Sequence, residues 1–87
     1  MTSRIYYTDP YCRRFDASVT KTLLHEGRPA VVLDRTAFYP TSGGQPFDTG
    51  TLGGAQVTDV LDDDNSDVVH VTDQPLGIGT LVVGEID

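Results

Sequence analysis

Apolar and polar residues alternate in several short stretches of this chain. The clearest stretch covers residues 15–24, where the apolar positions on one face are Phe15, Ala17, Val19 and Leu23. A period of two over this length predicts a half-buried β-strand. Lys21 interrupts the apolar face, and we expect this residue to lie near one end of a barrel.

Turn-forming residues separate further stretches of the same kind. Residues 25–29 predict a turn that joins the first long strand to the β-branched run at 30–33, so these two strands form a hairpin. The pair Gly53-Gly54 is a two-residue turn signal between two more strand-like runs. Together the patterns predict strands over residues 4–7, 15–24, 30–33, 49–52, 55–61, 67–72 and 80–86.

Six or seven short strands with frequent turns predict an all-β fold, and no segment predicts a helix. We favour a small closed or partly closed β-barrel over a sandwich, because closure removes exposed strand edges. The chain of 87 residues predicts a single domain over 1–87. It ends directly after the last predicted strand, so we expect it to be one part of a larger protein.

The composition limits the partners and the compartment. The formal net charge of −7 has the wrong sign for binding a phosphate backbone. Most of the affinity for a nucleic-acid partner would therefore have to come from outside this chain. Cys12 is the single cysteine, which excludes an internal disulfide. No stretch has the length of a signal peptide or a membrane helix, and we expect a cytoplasmic protein.

Residues 34–50 are the most informative part of the sequence. They read Asp-Arg-Thr-Ala-Phe-Tyr-Pro-Thr-Ser-Gly-Gly-Gln-Pro-Phe-Asp-Thr-Gly, a long loop rich in glycine and proline. Ordered loops of this length in small domains usually carry a function. Taken alone, Ser42-Gly43-Gly44-Gln45 is most simply a tight turn that needs glycine.

With its flanks, this segment resembles the editing domains of alanyl-tRNA synthetase and the free-standing AlaX-type editing proteins. Their hallmark is an aromatic residue and Pro or Ala, then Ser-Gly-Gly-Gln, then Asp-x-Gly. The likeness extends to residues 6–11, 15–17, 68–71 and 79–87. It implies the N-terminal β-barrel of that family, which is similar to the barrels of translation proteins.

The resemblance implies an activity and a site. Family members hydrolyse serine or glycine wrongly attached to alanine tRNA, and the barrel forms one wall of the pocket for the charged acceptor end. The Thr of Asp-x-Thr, here Thr36, would contact the hydroxyl of the misattached serine, and Gln45 would orient the substrate. The implied substrate-binding residues are Thr36, Ser42, Gly43, Gly44, Gln45 and Asp48.

Zinc is the cofactor that the resemblance implies, through a His-x-x-x-His pair and a later Cys and His in a domain after the barrel. This chain has only His25, His70 and Cys12 as candidate nitrogen or sulfur ligands, at unsuitable spacing. We therefore expect no catalytic or metal-binding residue in this chain, no activity from it alone, and a zinc domain in the parent protein as its partner.

Several alternatives remain open at the sequence level. The chain could be a non-catalytic barrel that binds RNA or a protein in translation, with Tyr6, Tyr7 and Tyr11 stacking on bases. His70 alternates with Val69 and Val71, so we expect it to face solvent or a polar rim. The acidic run at 62–67 fails the calcium-loop pattern and predicts a solvated turn.

Overall fold

The computed structural model describes residues 2–9, 12–40, 49–62 and 67–86. Its regular elements are eight strands and one 3₁₀ turn. In chain order they are β1 (Ser3–Arg4), the 3₁₀ turn (Ile5–Tyr7), β2 (Arg14–His25), β3 (Arg28–Leu33), β4 (Arg35–Thr36), β5 (Gly50–Leu52), β6 (Ala55–Asp62), β7 (Val68–Thr72) and β8 (Leu81–Ile86).

Six of these strands close into an antiparallel barrel in the order β2-β3-β7-β6-β5-β8. The predicted all-β class and barrel are confirmed. Closure depends on β2, whose first half pairs with β8 from Arg14↔Glu85 to Ser18↔Leu81. Its second half pairs with β3 as the predicted hairpin. One long strand thus joins both ends of the curled sheet.

A bend in β2 makes this double pairing possible. The register between β2 and β3 shifts between Val19 and Lys21, which marks a β-bulge. A bulge increases local twist and redirects the strand. Lys21, which interrupts the apolar pattern, lies at this irregularity and is exposed.

The predicted strand at residues 4–7 is wrong beyond its first residue. The chain leaves β1 after Arg4 and makes a 3₁₀ turn at Ile5–Tyr7. The amides of Thr8 and Asp9 both donate to the carbonyl of Ile5, at 3.0 and 2.8 Å. These local hydrogen bonds replace the sheet pairing that a longer strand would need.

The main core fills the barrel and reaches past it to the segment after β4. Its buried members are Phe15, Ala17, Val19, Val31, Leu33, Ala37, Phe38, Leu52, Val57, Val60, Val68 and Val82. A second, smaller cluster of Ala30, Val32, Val69 and Val71 lies on the opposite face of β3 and β7, as their pairing shows. The strands β3 and β7 are therefore buried on both faces.

No helix in the part of the chain that the structure describes is long and apolar enough to cross a membrane.

Gly50 lies where β5 passes between β6 and β8, paired with Val57 on one side and Ile86 on the other. A Cβ at this position would collide with the backbone carbonyl of Glu85. That backbone is held in the ladder, so it cannot rotate away as a side chain would. The glycine that ends the Asp-x-Gly pattern is needed for close strand packing.

We expect Gly50→Ala to lower the free energy of unfolding by about 1–3 kcal/mol, the usual cost of overpacking a core. Gly77→Ala is the matched control, because its Cβ would meet only the Thr80 hydroxyl, at 3.2 Å. Urea unfolding of both variants and the wild type measures the difference. Equal midpoints for Gly50→Ala and the wild type would contradict the close approach.

Candidate functional site

The start of the 34–50 segment is fixed to β2 by hydrogen bonds. The Asp34 amide donates to the carbonyl of Ser18 at 3.0 Å, and the Ser18 amide donates to Asp34 Oδ1 at 2.8 Å. Arg35 Nε donates to the carbonyl of Asp16 at 2.7 Å. These bonds set the direction in which the chain leaves β3 and enters β4.

The first residues of the chain fasten the same end of the barrel. β1 pairs with β4 in parallel, with Arg4 opposite Thr36. The Thr2 hydroxyl is buried and bridges two barrel strands. It donates to the carbonyl of Leu33 at 2.9 Å and accepts from the Val68 amide at 3.2 Å. β4 is therefore held between β1 and the barrel.

Thr36 and His70 form a buried polar pair at this end. Thr36 Oγ1 lies 2.8 Å from His70 Nε2, and both side chains are fully buried. The Phe38 amide donates to Thr36 Oγ1 at 3.1 Å. On its other side, His70 Nδ1 lies 3.3 Å from the carbonyl of Val31. One chain of hydrogen bonds thus runs from β3 through β7 to the loop after β4.

The direction of each hydrogen bond follows from the Val31 carbonyl, which can only accept. His70 Nδ1 therefore carries the proton of the neutral imidazole, and Nε2 is left as an acceptor. The Thr36 hydroxyl must donate to Nε2, because two acceptors would repel each other. Burial lowers the pKa of His70 to about 4, while backbone hydrogen bonds to Val31 and Val68 act in the opposite direction. The ring is accordingly neutral near pH 7.

Aromatic packing surrounds the pair. The Phe38 ring meets His70 edge to face, with centroids 5.6 Å apart, and meets Phe15 at 5.8 Å in the same manner. On the sheet, His70 lies between Val31 of β3 and Val60 of β6. These neighbours keep water away from the imidazole, which makes its polar partners more important.

The expectation that His70 faces solvent or a polar rim is wrong. It assumed that Val69 and Val71 mark the only buried face of β7, but this strand is buried on both faces. The sequence carries a signal for this, because Val68 to Thr72 is a nearly continuous apolar run around one histidine. Such runs are typical of strands that are covered on both faces.

Three tyrosines form a cluster beside this end of the barrel. The ring of Tyr6 lies 4.9 Å from that of Tyr39 and 5.0 Å from that of Tyr7. Arg4 Nη1 donates to the Tyr6 hydroxyl at 2.9 Å and forms an ion pair with Asp62 at 2.6 Å. Partial burial raises the pKa of the Tyr6 phenol, so it remains a neutral partner for Arg4. The rings of Tyr7 and Tyr39 are exposed.

Of the predicted site residues, Thr36 is the one that the structure describes. The others lie outside the described residues, at Ser42, Gly43, Gly44, Gln45 and Asp48. Their role as substrate contacts stays a prediction, as does that of Thr36. Sequence reasoning missed His70 as the hydrogen-bond partner of Thr36, because the two are separated by 34 positions in the chain.

The candidate metal ligands are not brought together. His70 is engaged with Thr36 and Val31, and the half-buried Cys12 donates its Sγ hydrogen to the Arg14 carbonyl at 3.3 Å. Across residues 2–9, 12–40, 49–62 and 67–86, no group of three or more His, Cys, Asp or Glu side chains is placed to hold a metal ion. The donor set described here does not fit a catalytic zinc.

The comparisons with known proteins agree with a closed barrel that buries Thr36 and His70 at one end. The family model described as tRNA synthetases class II (A) matches residues 11–87. The chain belongs to this family, as the N-terminal β-barrel region of its AlaX-type alanyl-tRNA editing members.

Individual relatives show the same relationship. The chain is 43% identical over 75 residues to the alanyl-tRNA editing protein AlaX-M of Pyrococcus horikoshii, covering 86% of this chain and 33% of that protein. It is 40% identical to AlaX-L of the same organism, over 82% of this chain and 18% of that protein. It is 41% identical to the alanine–tRNA ligase of Ignicoccus hospitalis, over 99% of this chain and 9% of the ligase. The chain thus spans a third or less of each relative.

We expect the stability of the barrel to fall as the pH drops below 6.5. The pKa of His70 is about 4 in the fold and near 6.5 in the unfolded chain, so between these values the unfolded state takes up a proton that the folded state does not. The contribution of the neutral His70 to the free energy of unfolding is complete above pH 6.5 and is lost as the pH falls towards 4. About 2 kcal/mol should be lost between pH 7 and pH 5.

Urea unfolding at the two pH values tests this. His70→Gln is the control, because it keeps a polar side chain without a titration in this range, while His25 and the carboxyl groups are unchanged. The wild type should lose more stability than the variant. An equal loss in both proteins would show that His70 does not titrate with the expected shift.

Proposed function

We propose that this chain is the substrate-pocket part of an aminoacyl-tRNA deacylase that removes serine or glycine from mischarged alanine tRNA. Membership of the alanyl-tRNA editing family supports the class of reaction. The observation that carries the proposal is the Thr36 hydroxyl, which buried hydrogen bonds hold in one orientation at the start of the motif. A cytoplasmic location and contact with the acceptor end of the tRNA are part of the same proposal.

A fixed hydroxyl suits the discrimination that this reaction requires. Serine differs from alanine by one hydroxyl group, and a pocket that hydrogen-bonds this group leaves its own polar atom unpaired when a methyl group takes the place. Thr36 is fully buried by the rest of the chain. A substrate hydroxyl therefore has to pass the residues that cover Thr36 to reach Oγ1.

The chemical step is not assigned to this chain. Zinc would supply a polarised carbonyl and an activated water in such a hydrolysis, but the described donor groups do not fit it. We propose that the zinc ligands lie in the part of the family's length that this chain does not span. The barrel's task is to recognise the aminoacyl group and to hold it in place.

A second function rests on the tyrosine cluster. Exposed aromatic rings can stack on unpaired bases, and Tyr7 is 75% exposed. The barrel could then bind tRNA without taking part in hydrolysis. The net charge of −7 opposes this function, because phosphate contacts supply most non-specific affinity.

Deacylation of serine-charged and alanine-charged alanine tRNA tests the first function. We compare this chain with the full-length protein from its genomic reading frame, with zinc present. We expect hydrolysis only by the full-length protein. Thr36→Val should reduce the ratio of kcat/KM for serine over alanine by roughly tenfold, because it removes one hydrogen bond to the substrate.

Thr22→Val is the matched control, because the Thr22 side chain is exposed on β2 whereas that of Thr36 is buried, so this change should leave the ratio unchanged. If the full-length protein does not hydrolyse the ester, the deacylase function is wrong. Binding of alanine tRNA by this chain, lost in Tyr7→Ala, would then favour the binding function.

A further inference from the structure

We propose that His70 is a positioning residue for substrate selection: it holds the proton of the Thr36 hydroxyl, so that Thr36 meets a substrate only as a hydrogen-bond acceptor. This inference rests on the proposed function and adds to it a residue from the centre of the barrel. His70 acts through Thr36 and does not itself touch the substrate.

The inference follows from the positions of the protons. A threonine hydroxyl has one proton and two lone pairs. The proton is directed to His70 Nε2 over 2.8 Å, and one lone pair accepts the Phe38 amide proton over 3.1 Å. Within the described residues, one lone pair of Oγ1 is left without a partner. A group that approaches this oxygen therefore has to donate.

The His70 ring cannot easily reverse this arrangement. Exchange of its tautomer would place a bare Nδ1 against the Val31 carbonyl, so that two acceptors would face each other. Rotation of the ring is opposed by Phe38, which packs against it edge to face, and by complete burial. Because water is excluded, no solvent molecule supplies an alternative partner, and leaving either group unpaired is costly.

The consequence is selection for a donor on the β-carbon of the amino acid. The serine hydroxyl can donate to Oγ1. The alanine methyl group and the methyl ether of O-methylserine cannot. Without an acceptor at His70, the Thr36 hydroxyl could rotate and donate its proton instead. The ratio of kcat/KM for serine over O-methylserine should then fall.

The test uses the full-length protein and alanine tRNA charged with serine, alanine or O-methylserine. The variants are His70→Phe, which keeps a ring but no acceptor, His70→Gln, which restores a polar group, Thr36→Val, and the double variant His70→Phe with Thr36→Val. The readout is the ratio of kcat/KM between two substrates. This ratio does not depend on the fraction of protein that is folded, so a purely structural role of His70 would leave it unchanged.

We expect His70→Phe to reduce the serine-over-alanine ratio by several-fold, and to reduce the preference for serine over O-methylserine by a larger factor. His70→Gln should recover part of both ratios. The double variant should show the same ratios as Thr36→Val, because residues that act through one hydrogen bond are not additive. Unchanged ratios in His70→Phe would overturn the inference.

A second measurement needs no variant. Nitrogen-15 NMR of the wild-type chain at pH 7 should show His70 protonated at Nδ1 and bare at Nε2, and protonation at Nε2 would overturn the inference.

Failure of this inference and failure of the proposed function give different results. If the wild-type protein hydrolyses no seryl ester, the proposed function is wrong and this inference falls with it. If the wild type selects serine and His70→Phe selects it equally well, only the inference about His70 is wrong.

Discussion

The hydrogen bond between Thr36 and His70 is the interaction on which this end of the molecule depends. A hydroxyl and an imidazole have been removed from water in a core made mostly of valine, alanine, leucine and phenylalanine. Each is satisfied by the other and by backbone groups, because burying an unpaired polar atom is costly. The pair therefore fixes the distance between β4 and β7, and with it the position of Phe38.

The rest of the structure excludes water from this pair and holds β4 in place against the barrel. β1 and Thr2 fasten β4 to the barrel from one side, and the Asp34 side chain fastens its start to β2 from another. Phe38 packs edge to face against His70, and Phe15 packs against Phe38 in the same manner. A domain of this size buries a limited part of its surface, so a buried polar pair takes up a large share of its small core.

Local pattern was enough to predict most of the barrel. Alternation identified β2, and paired glycines identified the turn between β5 and β6, because both signals depend only on neighbouring residues. The short β1 could not be separated from the 3₁₀ turn after it, since hydrogen bonds to the Ile5 carbonyl decide that boundary. The family resemblance, not a local pattern, made Thr36 a candidate site residue, and its role stays a prediction. No local signal connected Thr36 to His70, because only the closed barrel brings β4 and β7 together. The burial of β7 on both faces likewise depends on packing between distant parts of the chain.

The position of β8 in the barrel has a consequence for how the chain is made. This strand is the last of the six barrel strands to be synthesised, yet it stands between β5 and β2, two strands made earlier. Until residues 81–86 leave the ribosome, the sheet has five strands with two open edges, and part of the core, including Phe15, has no cover from β8. Contacts between residues near 14 and near 85 close one of the longest loops in the barrel, and closing it is slow. The nascent barrel is thus exposed to strand-edge association until its last strand arrives.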